Sequence, residues 1–169
     1  WENMMFIGVT ATPVAWITFA FEYTGRQAWI NARRLAILSI IPITTILAAF
    51  TNDMHRLFRI SERLVSEGGF LLLYTENGPW FWVHTAYSYT LILIGLFLIV
   101  QAILRWPTQY RGQMIWILLS ILMPLFANVL TIFNIVPVII DLTPFAFVFT
   151  GIGMAYALFR HRLLDIAPL

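Results

Sequence analysis

Residues 82–104 read WVHTAYSYTLILIGLFLIVQAIL, a run without a single Asp, Glu, Lys or Arg. A transmembrane α-helix needs about 17–25 predominantly apolar residues, so this run is long enough to cross a bilayer. Because a backbone in lipid must satisfy its own polar groups, the run is predicted to be helical. The whole chain agrees, since 60% of its residues are hydrophobic and 11% are charged, whereas soluble domains carry about 25% charged residues.

Four further runs share this apolar character. They cover about residues 4–21, 35–51, 114–136 and 143–159. Their continuous hydrophobicity differs from the alternation of an outer-membrane barrel strand. The sequence therefore predicts an all-α membrane protein, with residues 1–169 as a single transmembrane domain of five helices. The chain begins at Trp1 rather than Met, so we expect it to be a piece of a longer protein.

The arginines predict how the chain is oriented. All ten basic residues are arginine, with seven on one side of the predicted spans and three on the other. The seven are Arg26, Arg33, Arg34, Arg105, Arg111, Arg160 and Arg162, and the three are Arg56, Arg59 and Arg63. With several predicted spans, we expect a multi-pass protein of the plasma membrane. Cytoplasmic loops carry an excess of Lys and Arg, so the side with seven arginines is expected to be cytoplasmic. The N-terminus of the chain would then lie outside and its C-terminus in the cytoplasm.

Residues 52–80 form the only sizeable polar connection between predicted spans. Two β-prone runs, LFRISERLVS and FLLLYTE, flank a Gly-Gly pair and predict an extracytoplasmic β-hairpin. Asn77-Gly78-Pro79 is a turn signal before the third span, and the aromatic residues 80–82 suit the level of the lipid headgroups. Isolated hairpins are only marginally stable, so we expect this one to lie on the helix bundle as a lid.

Polar and ionisable residues gather near the outer ends of the predicted spans. Such residues are costly in a membrane, tend to face the interior of a bundle, and are candidates for function. We predict that they line an outward-opening pocket, capped by the hairpin, that binds a small molecule or a lipid. The candidate ligand-sensing residues are Asn52, Asp53, His55, His84, Tyr87, Ser88, Asn128 and Asp141.

Each candidate also has a purely structural interpretation. Asn52 and Asp53 suit helix caps or the start of a turn, and Asp141 suits an N-cap of the fifth span. Asn128 is suited to a hydrogen bond with a neighbouring helix. His84 fits a packing role as well as a ligand contact. The sequence leaves these alternatives open.

The sequence argues against several kinds of chemistry. The chain has no cysteine, which excludes disulfides and thiolate ligands. Neither His55 nor His84 has a second histidine at the i+4 spacing of a helical zinc site. No glycine-rich phosphate loop and no catalytic triad or carboxylate pair is recognisable, so we expect no metal, no cofactor and no catalytic site. The arginines are spread over several loops, and no nucleic-acid partner is expected.

Several spaced motifs together point to a family. They are IPITTILAAFTNDMHRLF at residues 41–58, WFWVHTAYSYTLILIG at 80–95 and FRHRLLDIAP at 159–168. They resemble the N-terminal seven-transmembrane sensor region of membrane-bound histidine kinases. The resemblance implies a larger, seven-helix bundle with two further spans before Trp1. It also implies a kinase or other signalling output in the cytoplasm, while this piece, which has no kinase motif, would not be an enzyme.

The resemblance implies a signal-sensing domain of a two-component system. An extracytoplasmic or membrane-borne signal would shift the bundle between two states, and the C-terminal helix would pass the shift to cytoplasmic signalling domains in cis. A ligand can do so only through different affinities for the two states. Kinases of this kind act as dimers, so we expect a homodimer among membrane lipids. The alternative functions are a small-solute transporter and a membrane assembly subunit.

Overall fold

The computed structural model describes residues 2–67, 70–105, 108–133, 135 and 143–161. These residues form a mainly helical chain with one β-hairpin. The helices are α1 (Glu2–Tyr23), α2 (Ala32–Phe50), α3 (Asn52–His55), α4 (Pro79–Arg105), α5 (Thr108–Ile132) and α6 (Thr143–His161), with a 3-10 turn at Gln27–Trp29. The strands are β1 (Arg59–Glu67) and β2 (Phe70–Asn77).

Within the described residues, three helices are long and apolar enough to cross a membrane. They are Asn3–Tyr23, Ala32–Phe50 and Pro79–Arg105. The apolar stretch of α5, Leu118–Ile132, is shorter. The helical membrane class is therefore supported, while five spans and a seven-helix bundle stay predictions.

The chain divides into two compact units, Trp1–Leu98 and Ile99–Leu169. In the first unit, most of the buried side chains of α1 and α2 are small or polar, and Ile17 is the large apolar exception. The buried side chains include Thr10, Ile17 and Ala20 of α1, and Pro42, Thr45 and Ala49 of α2. Large apolar side chains such as Ile37, Ile40, Leu47, Leu93 and Phe97 are exposed. This distribution is typical of helices that pack through small residues and turn their large apolar side chains to lipid.

Within the first unit, the side chain of Trp16 on α1 packs against Gly95 on α4. The Trp16 indole Nε1 donates to the carbonyl of Ile92 at 3.1 Å. A Cβ added at Gly95 would lie 2.3 Å from that same nitrogen. Glycine is therefore needed here because the indole occupies the space of a side chain.

The predicted hairpin is confirmed. β1 and β2 pair antiparallel, with Glu62 opposite Thr75 and Leu64 opposite Leu73, and the register is irregular between Arg59 and Ser61. The residues that join the two strands, 68–69, fall outside the described part of the chain. The hairpin occupies the connection between α3 and α4, where the sequence predicts it.

In the second unit, α5 and α6 pack against each other through small residues. The Thr150 hydroxyl of α6 donates to the carbonyl of Ser120 on α5 at 2.7 Å. A Cβ at Gly153 would lie 3.3 Å from the Ser120 hydroxyl, and Ala127 and Ala146 are buried. Small residues and a threonine bond are a usual way for helices to associate in lipid.

Candidate functional site

The connection between α2 and β1 is organised by the side-chain amide of Asn52. Its Oδ1 accepts the backbone N–H groups of Phe58 at 3.0 Å and Arg59 at 2.9 Å. Its Nδ2 donates to the carbonyl of Arg59 at 2.9 Å. Arg56, with φ of 51°, closes the short helix α3 in the left-handed region. Asn52 therefore has the turn-forming role that the sequence left open.

Two side chains attach this connection to α1. Phe58 is fully buried, and its ring lies edge-on to Phe6 of α1 with centroids 4.8 Å apart. The Arg59 guanidinium donates to Oδ1 of Asn3 on α1, and to Oε1 of Glu62 at 2.6 Å. The side chain of Arg59 is 9% exposed, whereas that of Glu62 is 42% exposed. The start of β1 is thus held against the start of α1.

The first turn of α4 bonds to the same connection. Gly78 N–H donates to the carbonyl of Phe58 at 2.8 Å, and Trp80 N–H donates to the carbonyl of Leu57 at 3.0 Å. These bonds satisfy N–H groups for which the start of a helix offers no partner. A Cβ at Gly78 would lie 2.2 Å from the Leu57 oxygen, so glycine is needed at this contact.

A series of hydrogen bonds continues from Trp80 into the helices. The Trp80 indole N–H donates to Oγ1 of Thr45 on α2 at 3.2 Å. The same oxygen lies 3.4 Å from Nδ1 of His84, whose Nε2 lies 3.2 Å from Oγ of Ser88. Thr45 is 0% exposed and His84 is 4% exposed. We call Trp80, Thr45, His84 and Ser88 the histidine network.

The histidine network can exist in two hydrogen-bond arrangements. A hydroxyl group both donates and accepts, and a neutral imidazole donates at one ring nitrogen and accepts at the other. Thr45 and Ser88 can therefore satisfy the ring of His84 in either neutral tautomer. The indole of Trp80 is only a donor, so the bond between Trp80 and Thr45 has one direction in both arrangements.

Three of the sequence-predicted candidates lie together. His84 and Ser88 belong to the histidine network, and Tyr87 lies beside them on α4. The ring centroids of His84 and Tyr87 are 6.4 Å apart. The Tyr87 hydroxyl donates to the carbonyl of Leu38 on α2 at 2.6 Å, which forms a second polar link between α2 and α4.

The other candidates are not part of the histidine network as described. His55 is engaged in its own loop, where its Nδ1 accepts the N–H of Leu57 at 3.0 Å. Asp53 is exposed on α3, and Asn128 is partly buried on α5 in the second unit. Asp141 lies outside the described residues. A shared pocket for all eight candidates therefore stays a prediction.

Sequence reasoning missed Thr45 and Trp80. A threonine in a transmembrane helix usually bonds its own backbone, and a tryptophan at a helix start is taken for a headgroup anchor. The useful signal was spacing, because Thr45 shares the buried stripe of α2 with Pro42 and Ala49. A polar side chain in such a stripe suits a bond to a neighbouring helix.

A family model described as the N-terminal 7TM region of histidine kinase matches residues 1–168. No curated protein and no solved structure matches the chain. The matched range includes the hairpin and the whole histidine network, and it agrees with the resemblance carried by the sequence motifs.

Proposed function

Because this chain belongs to the family of N-terminal seven-transmembrane regions of histidine kinases, we propose that it detects an extracytoplasmic or membrane-borne signal at its hairpin end. The region is a sensor and is not itself catalytic. The observation that carries the proposal is the histidine network, because it connects the base of the hairpin to two apolar helices by consecutive hydrogen bonds.

Trp80 makes the packing of α2 against α4 sensitive to the hairpin. Its backbone N–H donates to the carbonyl of Leu57, in the connection between α2 and β1, and its indole N–H donates to the hydroxyl of Thr45 on α2. A signal that displaces this connection also displaces a donor of the buried network. Leaving a buried polar group without its partner costs about 1–3 kcal/mol. A cost of that size is enough to shift the balance between two conformations that differ by a few kcal/mol.

The response then passes through the helices to a cytoplasmic output domain. α4 contributes residues to both compact units. α6 leads to residues 162–169, which lie outside the described residues and whose sequence resembles that of a signalling helix. The signal is a small molecule or a lipid that binds one of the two conformations more tightly, since only a difference in affinity shifts the equilibrium. A homodimer of the full-length kinase would carry the signal across the membrane.

Two adjacent threonines of α2 provide the test. In the full-length kinase, Thr45→Val keeps the side-chain shape but removes the hydroxyl that bonds Trp80 and His84. Thr44→Val is the matched control, because the Thr44 hydroxyl bonds the carbonyls of Ile40 and Ile41 in its own helix. We expect Thr45→Val to change basal autophosphorylation about tenfold, which corresponds to about 1.4 kcal/mol, and Thr44→Val to change it little.

The direction of the change reports which conformation the network stabilises. Lower basal activity in Thr45→Val would mean that the network favours the active conformation, and higher activity would mean the reverse. Membrane insertion and protein amount are measured in parallel by fractionation. Wild-type basal activity and signal response in Thr45→Val, with normal insertion, would overturn the role of the network.

A further inference from the structure

The connection between α1 and α2 has a well-defined conformation that the sensing proposal does not use. α1 is terminated by Gly25, two residues after Tyr23 and with φ of +72°, and the N–H of Arg26 donates to the carbonyl of Phe21 at 2.8 Å. This is the bond of a Schellman C-cap. α2 begins with Asn31 as its N-cap, and Oδ1 of Asn31 accepts the N–H of Arg34 at 2.9 Å. Both helix ends are thus fixed by local bonds.

Arg34 is held against the aromatic ring of Trp29. Its guanidinium lies 4.8 Å from the ring centroid, and Nη1 donates to the carbonyl of Trp29 at 2.8 Å. Trp29 stacks on Phe21 with centroids 6.1 Å apart and is 58% exposed. An arginine has five N–H donors, so the bond to Trp29 leaves others for a ligand. Arg33, the preceding residue, is also exposed.

A cavity of about 70 Å³ lies between α1 and α2 at this end. Ile17 and Phe21 of α1 and Leu35 and Leu38 of α2 line it, and Arg34 lines it as well. The cavity has room for only a few methylene groups. A cavity that is lined by apolar side chains and by one guanidinium suits a ligand that is apolar at one end and anionic at the other.

We propose that this is a binding site for an anionic phospholipid. The lipid phosphate bonds Arg33 and Arg34, and the first methylene groups of an acyl chain occupy the cavity. Residues 23–51 contain no Asp or Glu, and Glu22 is exposed at the end of α1. The N-terminus of α2 adds the positive end of a helix dipole, and tryptophan is favoured at the lipid headgroup level.

The predicted orientation places this end in the cytoplasmic leaflet, which is rich in anionic lipids. The proposal rests on the helices being in a membrane. It does not rest on the histidine network or on any particular signal. A lipid at this site would hold α1 and α2 together at the end opposite the hairpin.

The test is lipid binding to the full-length protein in detergent, measured by native mass spectrometry. Dioleoyl phosphatidylglycerol is the anionic probe, and dioleoyl phosphatidylcholine is the zwitterionic one. We expect phosphatidylglycerol to bind preferentially, and Arg33→Gln and Arg34→Gln each to weaken it about fivefold, the factor expected for about 1 kcal/mol per arginine. Arg63→Gln removes a charge from the hairpin and is expected to leave binding unchanged.

Further measurements identify what is bound. Leu35→Trp fills the cavity and keeps both arginines, so it is expected to reduce phosphatidylglycerol binding as well. Equal binding of the two lipids, or equal losses in Arg33→Gln and Arg63→Gln, would overturn the proposal. Competition by glycerol 3-phosphate at the concentration of the lipid would reveal a soluble-phosphate site and would also overturn it. No side-chain hydrogen bond is described for Arg33, so Arg33→Gln is expected to fold normally. It therefore still tests the site if Arg34→Gln proves unstable.

Discussion

Asn52 has an amide that is already bonded to the main chain at three points. We expect Asn52→Leu to lower the stability of the protein by about 1–3 kcal/mol, because backbone groups next to the fully buried Phe58 lose their partners. Asn52→Asp keeps the acceptor but loses the donor to Arg59, so its effect should be smaller. The measurement is thermal unfolding of the purified protein in detergent.

Asp53→Asn is the control for this prediction, because Asp53 is the adjacent residue and is exposed. If Asn52→Leu unfolds at the same temperature as Asp53→Asn, the amide does not stabilise the connection. A ligand-contacting role would then become the better interpretation of Asn52.

Gly95 is predicted to be intolerant of even one extra carbon. Gly95→Ala would push the indole of Trp16 away from the carbonyl of Ile92, and overpacking of this kind costs about 1–3 kcal/mol. Gly8→Ala is the matched control, because a Cβ at Gly8 on α1 meets nothing within 4 Å. In a helix that change is expected to stabilise by about 0.5–1 kcal/mol.

Thermal unfolding in one detergent compares the two alanine variants. Trp16→Leu combined with Gly95→Ala makes room for the new methyl group, and the double-mutant cycle should therefore show coupling between the two sites. Additive effects of Trp16→Leu and Gly95→Ala would contradict the close contact.

The histidine network shows what a sequence reveals about single residues. A spacing of four places His84 and Ser88 on one face of a helix, so their proximity was predictable. Thr45 belongs to another helix, and its distance from His84 depends on how α2 and α4 slide and rotate against each other. Local periodicity carries no information on that register, and the partner was therefore missed.

The helices and strands were predicted from hydropathy and turn signals, and their ends show the limits of that method. The span expected over 82–104 is the helix Pro79–Arg105, and the span expected over 4–21 is Glu2–Tyr23. Hydropathy detects the apolar layer, whereas a helix continues for as long as its hydrogen bonds do. The span expected over 114–136 overlaps α5 (Thr108–Ile132), which begins earlier, while residues 134 and 136 lie outside the described part of the chain.

The hairpin should loosen when its buried guanidinium is removed. Arg59→Gln loses the charge-assisted hydrogen bond to Glu62 and, because its side chain is shorter, the hydrogen bond to Asn3 on α1. We expect amide hydrogen exchange in β1 and β2 to become about tenfold faster, which corresponds to about 1.4 kcal/mol. Exchange is followed by mass spectrometry on peptides from residues 59–77.

Arg63→Gln is the control for hairpin docking. Arg63 is exposed and lies over the ring of Tyr74 within the hairpin itself, 4.8 Å from its centroid. Its loss should therefore leave the attachment to α1 intact. Exchange that rises equally in Arg59→Gln and Arg63→Gln would show that the guanidinium of Arg59 does not hold the hairpin in place.

The orientation of the whole chain follows from charge and not from packing, so the sequence predicts it independently of the structure. Seven arginines on one side of the spans and three on the other favour a cytoplasmic location for the connection between α1 and α2. α4 then crosses inward from the hairpin, and α5 would cross outward if it spans the membrane. Single cysteines test each step, because the chain has none of its own.

Three exposed positions suit this experiment, namely Ala28, Ser61 and Ile135. In a cysteine-free full-length protein, a membrane-impermeant maleimide should label Ser61→Cys and Ile135→Cys in intact cells. It should label Ala28→Cys only after permeabilisation, because that connection is predicted to face the cytoplasm. The reverse pattern at Ala28 and Ser61 would invert the orientation and place the proposed lipid site in the outer leaflet. Labelling of Ile135→Cys only after permeabilisation would mean that α5 does not cross, and the prediction of five spans would then be wrong.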